Sequence, residues 1–221
     1  DFEGRMDAVR RWQNERAFLI GHRLLHSRLP ASQAALAWSD LADTCLRLMA
    51  DAAAIETARK YGPQPGQWAV GALGKLGGRE LTAGSDLDLL IVFDPLDDQS
   101  GEAQAWFTRF AQRLITALSA ETAEGSLYEV DMRLRPSGSK GPLSVKLARL
   151  TDYYASEADT WEFMVLTRAR VVWASDPAFG ERVSGVLEEV VRAHGRTPEV
   201  LAHDVRAMRD RMMRDLPSGG F

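Results

Sequence analysis

The stretch GSDLDLLIVFD, Gly84–Asp94, decides how this chain is read. Asp86 and Asp88 stand two residues apart at the mouth of an apolar run with the composition of a buried strand. Side chains alternate along a strand, so the two carboxylates share a face, about 7 Å apart, while Leu87, Leu89, Ile91 and Phe93 take the other. Like charges so placed repel unless something positive sits between them. A divalent cation meets that need. Hard carboxylate oxygens suit Mg²⁺ or Mn²⁺, and Mg²⁺ usually takes one or two carboxylates plus substrate phosphates. The bland alternative is a solvated or capping pair at a strand start.

A second stretch bears on the choice. LYEVDMRLR, Leu127–Arg135, alternates, with Tyr128, Val130, Met132 and Leu134 on one side and Glu129, Asp131, Arg133 and Arg135 on the other. Period two predicts a strand with one charged face. If the two strands are neighbours, Asp86, Asp88 and Asp131 converge, and three carboxylates can hold two ions roughly 3.5–4 Å apart for in-line displacement at phosphorus. Gly77 and Gly78 precede the pair; bare backbone there could approach a phosphate, although a plain turn would also use them. Ser85 abuts Asp86, and Lys75 and Arg79 flank the glycines as possible phosphate partners or ordinary surface charges. Arg133 and Arg135 can hold phosphate bidentately, or pair with Glu129 or Asp131.

The rest of the chain frames this centre. Residues 2–61 read as helical, with Ser39 as an N-cap, Leu41, Cys45, Leu48, Met49 and Ala52 on the apolar stripe, and Gly62 as the stop. Trp68–Gly74 reads as a short strand, KLGGRELTAGS as a glycine-rich connection, and Ala103–Ala120 as an amphipathic helix striped by Phe107, Phe110, Leu114 and Leu118. LSVKL is a further short strand, and helices return from Arg149. The last has Thr197 as cap, Pro198 at its first position, and a stripe of Leu201, Val205, Met208, Met212 and Leu216. The expected class is α+β: a helical segment (1–62), a small mixed-sheet core (63–148) and a second helical segment (149–221).

Composition narrows the function. Of 221 residues, 45% are apolar and 26% charged, ordinary for a globular chain. The net charge of −4 and the lack of a Lys/Arg stripe argue against a nucleic-acid duplex as ligand. The single cysteine, Cys45, excludes an internal disulfide and fits a reducing, cytoplasmic compartment. No apolar run reaches the roughly 18–20 residues of a membrane span. The opening DFEGRMDAVRRWQ, without Met, and the closing DLPSGGF read as cuts from a longer protein.

Gly77-Gly78, a spacer, Asp86-Leu87-Asp88 and a later aspartate resemble the polymerase-β-type nucleotidyltransferase signature. More specifically, GKLGGRELTAGSDLDLLIVFD, LYEVDMRLRPSGSKGPL and TWEFMVLTRARVV together resemble the bacterial glutamine-synthetase adenylyltransferases over nearly the whole chain. That family carries two similar nucleotidyltransferase domains, one attaching AMP to a tyrosine of glutamine synthetase and one removing it by phosphorolysis. The removing domain usually shows SSDIDL and RLRPFG or RLRPEG. Here Gly84 precedes Ser85, Leu87 separates the aspartates and Ser137-Gly138 follows Pro136, so the resemblance is to the attaching, C-terminal domain. Asp159 and Phe163 depart from that domain's AWTWEH. The resemblance implies a polymerase-β-like core, with Asp86 and Asp88 on both metals and Asp131 completing the second site. It implies that Lys75, Gly77, Gly78, Ser85, Arg133 and Arg135 hold ATP phosphates. It also implies two Mg²⁺ ions (or Mn²⁺), ATP as substrate, glutamine synthetase as protein partner, and glutamine and the PII signalling protein as regulators.

Alternatives are the removing domain, an antibiotic-modifying type of small-molecule nucleotidyltransferase, and an inactive regulatory module. His22 and His26 have helical i, i+4 spacing but no third ligand in sequence. Cys45 reads as a core thiol, Tyr153 and Tyr154 as core or interface, and Met208, Met212 and Met213 as core or docking surface. Glu162, Arg168 and Arg170 are expected on one helix, as a Glu–Arg network or a contact with triphosphate or partner.

Overall fold

The computed structural model describes residues 1–97 and 101–215. Two long helices open it, α1 (Phe2–Leu25) and α2 (Ala31–Tyr61). Asp1 caps α1, its carboxylate accepting from the Gly4 N–H at 2.7 Å. The alanine-rich start of α2 favours helix, so the helix begins well before Ser39. Ser39 is therefore a buried interior residue, not a cap, and its hydroxyl donates to the Ala35 carbonyl at 2.8 Å. Leu41, Cys45, Met49 and Ala52 are buried as the periodicity predicts, whereas Leu48 is exposed. Gly62 ends the helix with φ +92°.

The sheet follows: β1 (Gly66–Ala72), a single helical turn α3 (Gly74–Gly77), β2 (Leu87–Pro95) and α4 (Glu102–Ser119). Then come β3 (Val130–Asp131), β4 (Ser144–Lys146), α5 (Leu147–Ser156), α6 (Thr160–Leu166), β5 (Arg170–Ala174), α7 (Pro177–Arg192) and α8 (Pro198–Asp215). β1 runs antiparallel between β2 and β5. The far edge of β2 is shared by two short parallel partners, β3 beside Leu87–Asp88 and β4 beside Ile91–Phe93. The sheet is mixed and helix-flanked, the α+β class expected.

Both faces of the sheet are covered. Leu87, Leu89, Ile91 and Phe93 pack with Trp68, Val70 and the Phe107–Phe110–Leu114–Leu118 stripe of α4, backed by α2. Leu90 and Val92 face the other way, into a second cluster with Leu150, Tyr153, Tyr154, Phe163 and Phe179. By strand parity Asp88 belongs to this second face, at the end where the apolar filling stops.

Three expectations are corrected. The predicted strand Leu127–Arg135 pairs only at Val130 and Asp131. It ends there because the Asp131 carboxylate accepts the Arg133 backbone N–H at 2.7 Å, a local turn that competes with the ladder. The helical segment expected from Arg149 contains β5, whose Val171, Val172 and Trp173 suit a strand. Arg168 and Arg170 therefore lie beyond α6, not on a helix with Glu162. Glu162 instead accepts from the Tyr153 hydroxyl at 2.6 Å and the Asp159 N–H at 2.9 Å. Leu216 and the side chain of Met212 lie outside the described residues.

Candidate active site

Parallel pairing of β2 with β3 sets Asp88 directly opposite Asp131, one strand spacing (about 4.8 Å) away at the backbone. Asp86 stands just before β2, where Leu87 donates its N–H to the Glu129 carbonyl at 2.9 Å and locks the register. A cavity of about 410 Å³ opens there, walled by Asp86, Glu129, Asp131, Met132, Arg133 and Arg135. Burial, then the charges of Asp86 and Asp131, push the Asp88 carboxyl up to about 6, against the weaker opposing pull of Arg133 and Lys75. The carboxylates are thus close enough to feel one another.

Asp131 is held the opposite way. Its oxygens accept from the Arg133 side chain and backbone, with Nε–Oδ2 at 2.8 Å, and its pKa lies below the usual carboxylate range mainly because of that side-chain bond. Among the described residues no three His, Cys, Asp or Glu side chains are arranged to hold an ion. The chemistry of the donors is nonetheless that of a hard-cation site: the charges of Asp86 and Asp131 act against ionisation of Asp88, only partly offset by Arg133 and Lys75, and Asp131 is paired with Arg133.

The glycine that touches the site is Gly74. Its φ is +53°, and a Cβ there would fall 2.1 Å from Asp88 Oδ2. Only glycine lets the α3 turn come this near the carboxylate. Sequence reading missed it because spacing drew the eye to Gly77 and Gly78. Gly77 lies at the end of α3 against a different neighbour, its absent Cβ making room for the Arg168 carbonyl at 2.0 Å. Gly78 borders Glu80 and the Arg168 guanidinium. Lys75 is exposed on α3, near enough to Asp88 to act on its charge. Ser85 folds the loop before Asp86, its Oγ accepting from the Thr82 N–H at 3.0 Å. Arg79 is tied to Asp40 and Asp43 on α2.

The two arginines after Asp131 separate. Arg133 is exposed beside the cavity. Arg135 is buried, and its guanidinium donates to the carbonyls of Met132, Gly141 and Pro142, the last at 3.0 Å. It folds the loop that walls the cavity, with its donors committed to backbone. Asp159 and Phe163, the positions that depart from the family pattern, have structural work in α6. Asp159 precedes the helix, held by Glu162, and Phe163 is buried with the Arg196 guanidinium 4.4 Å from its ring centre. His22 and His26, at the end of α1, lie with ring centres 4.4 Å apart and planes tilted by 49°.

The family profile described as glutamate–ammonia ligase adenylyltransferase matches residues 1–185. The chain belongs to the glutamate–ammonia ligase adenylyltransferase family. Relatives within this adenylyltransferase family carry the name bifunctional glutamine synthetase adenylyltransferase/adenylyl-removing enzyme. That of Caulobacter vibrioides is 46% identical across 100% of the chain, and that of Bradyrhizobium diazoefficiens is 45% identical across 94%. A third, from Brucella suis, is 44% identical across 98%. The chain spans 23% of the Caulobacter protein and 22% of the Bradyrhizobium protein. No helix among the described residues is long and apolar enough to cross a membrane.

Proposed function

We propose that this site transfers AMP from ATP to a tyrosine hydroxyl of glutamine synthetase and releases pyrophosphate. The observation that carries the reading is the register of β2 and β3, which sets Asp88 opposite Asp131, while Asp131 and Asp86 line one cavity. Asp86, Asp88 and Asp131 would hold Mg²⁺, as two ions, or Mn²⁺, which would neutralise the triphosphate and lower the pKa of the acceptor hydroxyl.

The chain's own residues do the rest. Gly74 lets the α3 turn lie against Asp88, and the exposed Lys75 beside it, near enough to act on that carboxylate, is the second cation offered to a phosphate tail. The exposed Arg133 offers bidentate bonds to that tail. The acceptor oxygen bonds to the α-phosphorus, the bond to the bridging oxygen breaks, and pyrophosphate leaves. A tyrosine hydroxyl, with a pKa near 10, must lose its proton, and Asp131 takes or orients it. While Arg133 holds Asp131 that carboxylate is a weak base; phosphates drawing Arg133 away strengthen it. The catalytic contribution is positioning and charge stabilisation.

The forward direction rests on Gly84-Ser85, Leu87 and Ser137-Gly138, which match the attaching domain. The second reading is phosphorolytic removal of AMP, the other activity in the relatives' bifunctional names. Glutamine and the PII protein as regulators belong to the proposal by resemblance alone. The test is one chain in two assays: label from α-³²P-labelled ATP onto unmodified glutamine synthetase, and ADP formed from adenylylated synthetase plus phosphate. Label on the synthetase supports the reading; ADP alone assigns the removing role.

A further inference from the structure

A second, smaller cavity adjoins the carboxylates. It is about 220 Å³, and its walls include Gln13 of α1, Trp38 of α2, Leu81 and Ser85 of the loop before Asp86, and Tyr128 and Glu129 of the segment leading into β3. Glu129 also lines the larger cavity, so the two share a wall beside Asp86. We propose that this cavity is the acceptor subsite and takes the single aromatic ring of the residue that receives AMP. The proposal rests on the transfer reading above.

Size selects the occupant. A cavity of roughly 150 Å³ accepts benzene, so about 220 Å³ holds one six-membered ring with its hydroxyl. A nucleoside needs more, since pockets for larger ligands run from roughly 300 Å³ upward. The larger cavity, about 410 Å³, has that room. Charge selects in the same direction. The larger cavity presents the exposed Arg133, which can pair with phosphate, beside Asp86, Glu129 and Asp131, whose charge a cation would offset. The smaller is lined by no Lys or Arg and by one carboxylate, Glu129, which repels phosphate. An uncharged ring meets no such penalty, and the Trp38 indole and Tyr128 phenol give it apolar and aromatic surface. Gln13 and Ser85 add polar side chains to the lining, of the kind a phenol hydroxyl can bond.

Ser126 lines the cavity and is exposed, so Ser126→Trp can fill the space without disturbing the core. In AMP transfer to glutamine synthetase, S126W should raise KM for the protein acceptor by about tenfold or more and leave KM for ATP near the parent value. Independently of transfer, N-acetyl-L-tyrosinamide should shift amide resonances of residues 81–85 and 126–129 in the parent, and about tenfold more should be needed in S126W. Adenosine shifting those resonances while the tyrosinamide does not would overturn the proposal. So would tyrosinamide binding unchanged in S126W, no shift with either probe, or transfer with an unchanged acceptor KM. A parent that binds the tyrosinamide but moves no AMP would sink the transfer reading and leave the ring site standing.

Discussion

Replacing Asp88 by Asn tests, without any substrate, whether burial and its acidic neighbours destabilise the ionised Asp88 carboxylate. Burial, followed by repulsion from Asp86 and Asp131, raises the Asp88 carboxyl from its ordinary 3.8 to about 6. At about 1.4 kcal/mol per pH unit, that displacement corresponds to about 3 kcal/mol against the folded state once the group ionises. The side chain is only partly buried, and solvent screening reduces the figure to about 1–3 kcal/mol. The folded protein holds this proton more tightly than the unfolded chain. Stability is therefore lost as pH rises from about 4 to about 6, and the penalty is complete above that window. The carboxamide of the Asp88→Asn variant carries no charge at any pH. In chelator-containing buffer Asp88→Asn should be more stable than the parent by about 1–3 kcal/mol near pH 7.5, and the gain should fall toward zero near pH 4. Urea unfolding followed by circular dichroism at both pH values measures this. A variant no more stable near pH 7.5, or a gain undiminished near pH 4, would refute the claim that burial and the neighbouring carboxylates together raise the Asp88 carboxyl.

Arg135→Ala should destabilise the chain by about 3 kcal/mol or more, because the carbonyls of Met132, Gly141 and Pro142 lose a buried donor; a fall in urea midpoint reports it. Arg133→Ala should leave the unfolding free energy within about 0.5 kcal/mol of the parent, since its pair with Asp131 is exposed on the arginine side, yet weaken ATP binding by calorimetry. Gly74→Ala forces a Cβ onto Asp88 Oδ2 and a left-handed backbone onto a residue that resists it. It should retain its circular dichroism spectrum while losing about 100-fold or more of AMP transfer. Cys45 is buried, its thiol pushed up to about 12 chiefly by that burial, so iodoacetamide should modify it only in denaturant, as mass spectrometry would show.

Much of this was legible because the signals are local. The Asp-x-Asp at the head of an apolar run, the stripe of α4 and the glycine stop at Gly62 each follow from short-range periodicity or backbone freedom, and each lies where the residues predict. What was not legible depends on contacts distant in sequence. Gly74 matters only because β2 brings Asp88 against it, and nothing in GALGKLGG ranks that glycine above its neighbours. The alternation of Leu127–Arg135 is genuine, but it cannot reveal that Asp131 turns the chain at Arg133 or that Arg135 folds inward to a loop. β5 was hidden by brevity and by its arginine-bearing entry, and by following a helix immediately. Ser39 misled because a good capping residue also serves inside a helix when its hydroxyl returns to the preceding turn.

The central claim is that Asp86, Asp88 and Asp131 act together on a cation-bound nucleotide. Mn²⁺ binding, followed by electron paramagnetic resonance with a non-hydrolysable ATP analogue, tests it most directly. The expected result is nucleotide-dependent Mn²⁺ binding by the parent chain and its loss or marked weakening in each of Asp86→Asn, Asp88→Asn and Asp131→Asn. Binding in Asp131→Asn indistinguishable from the parent would contradict it.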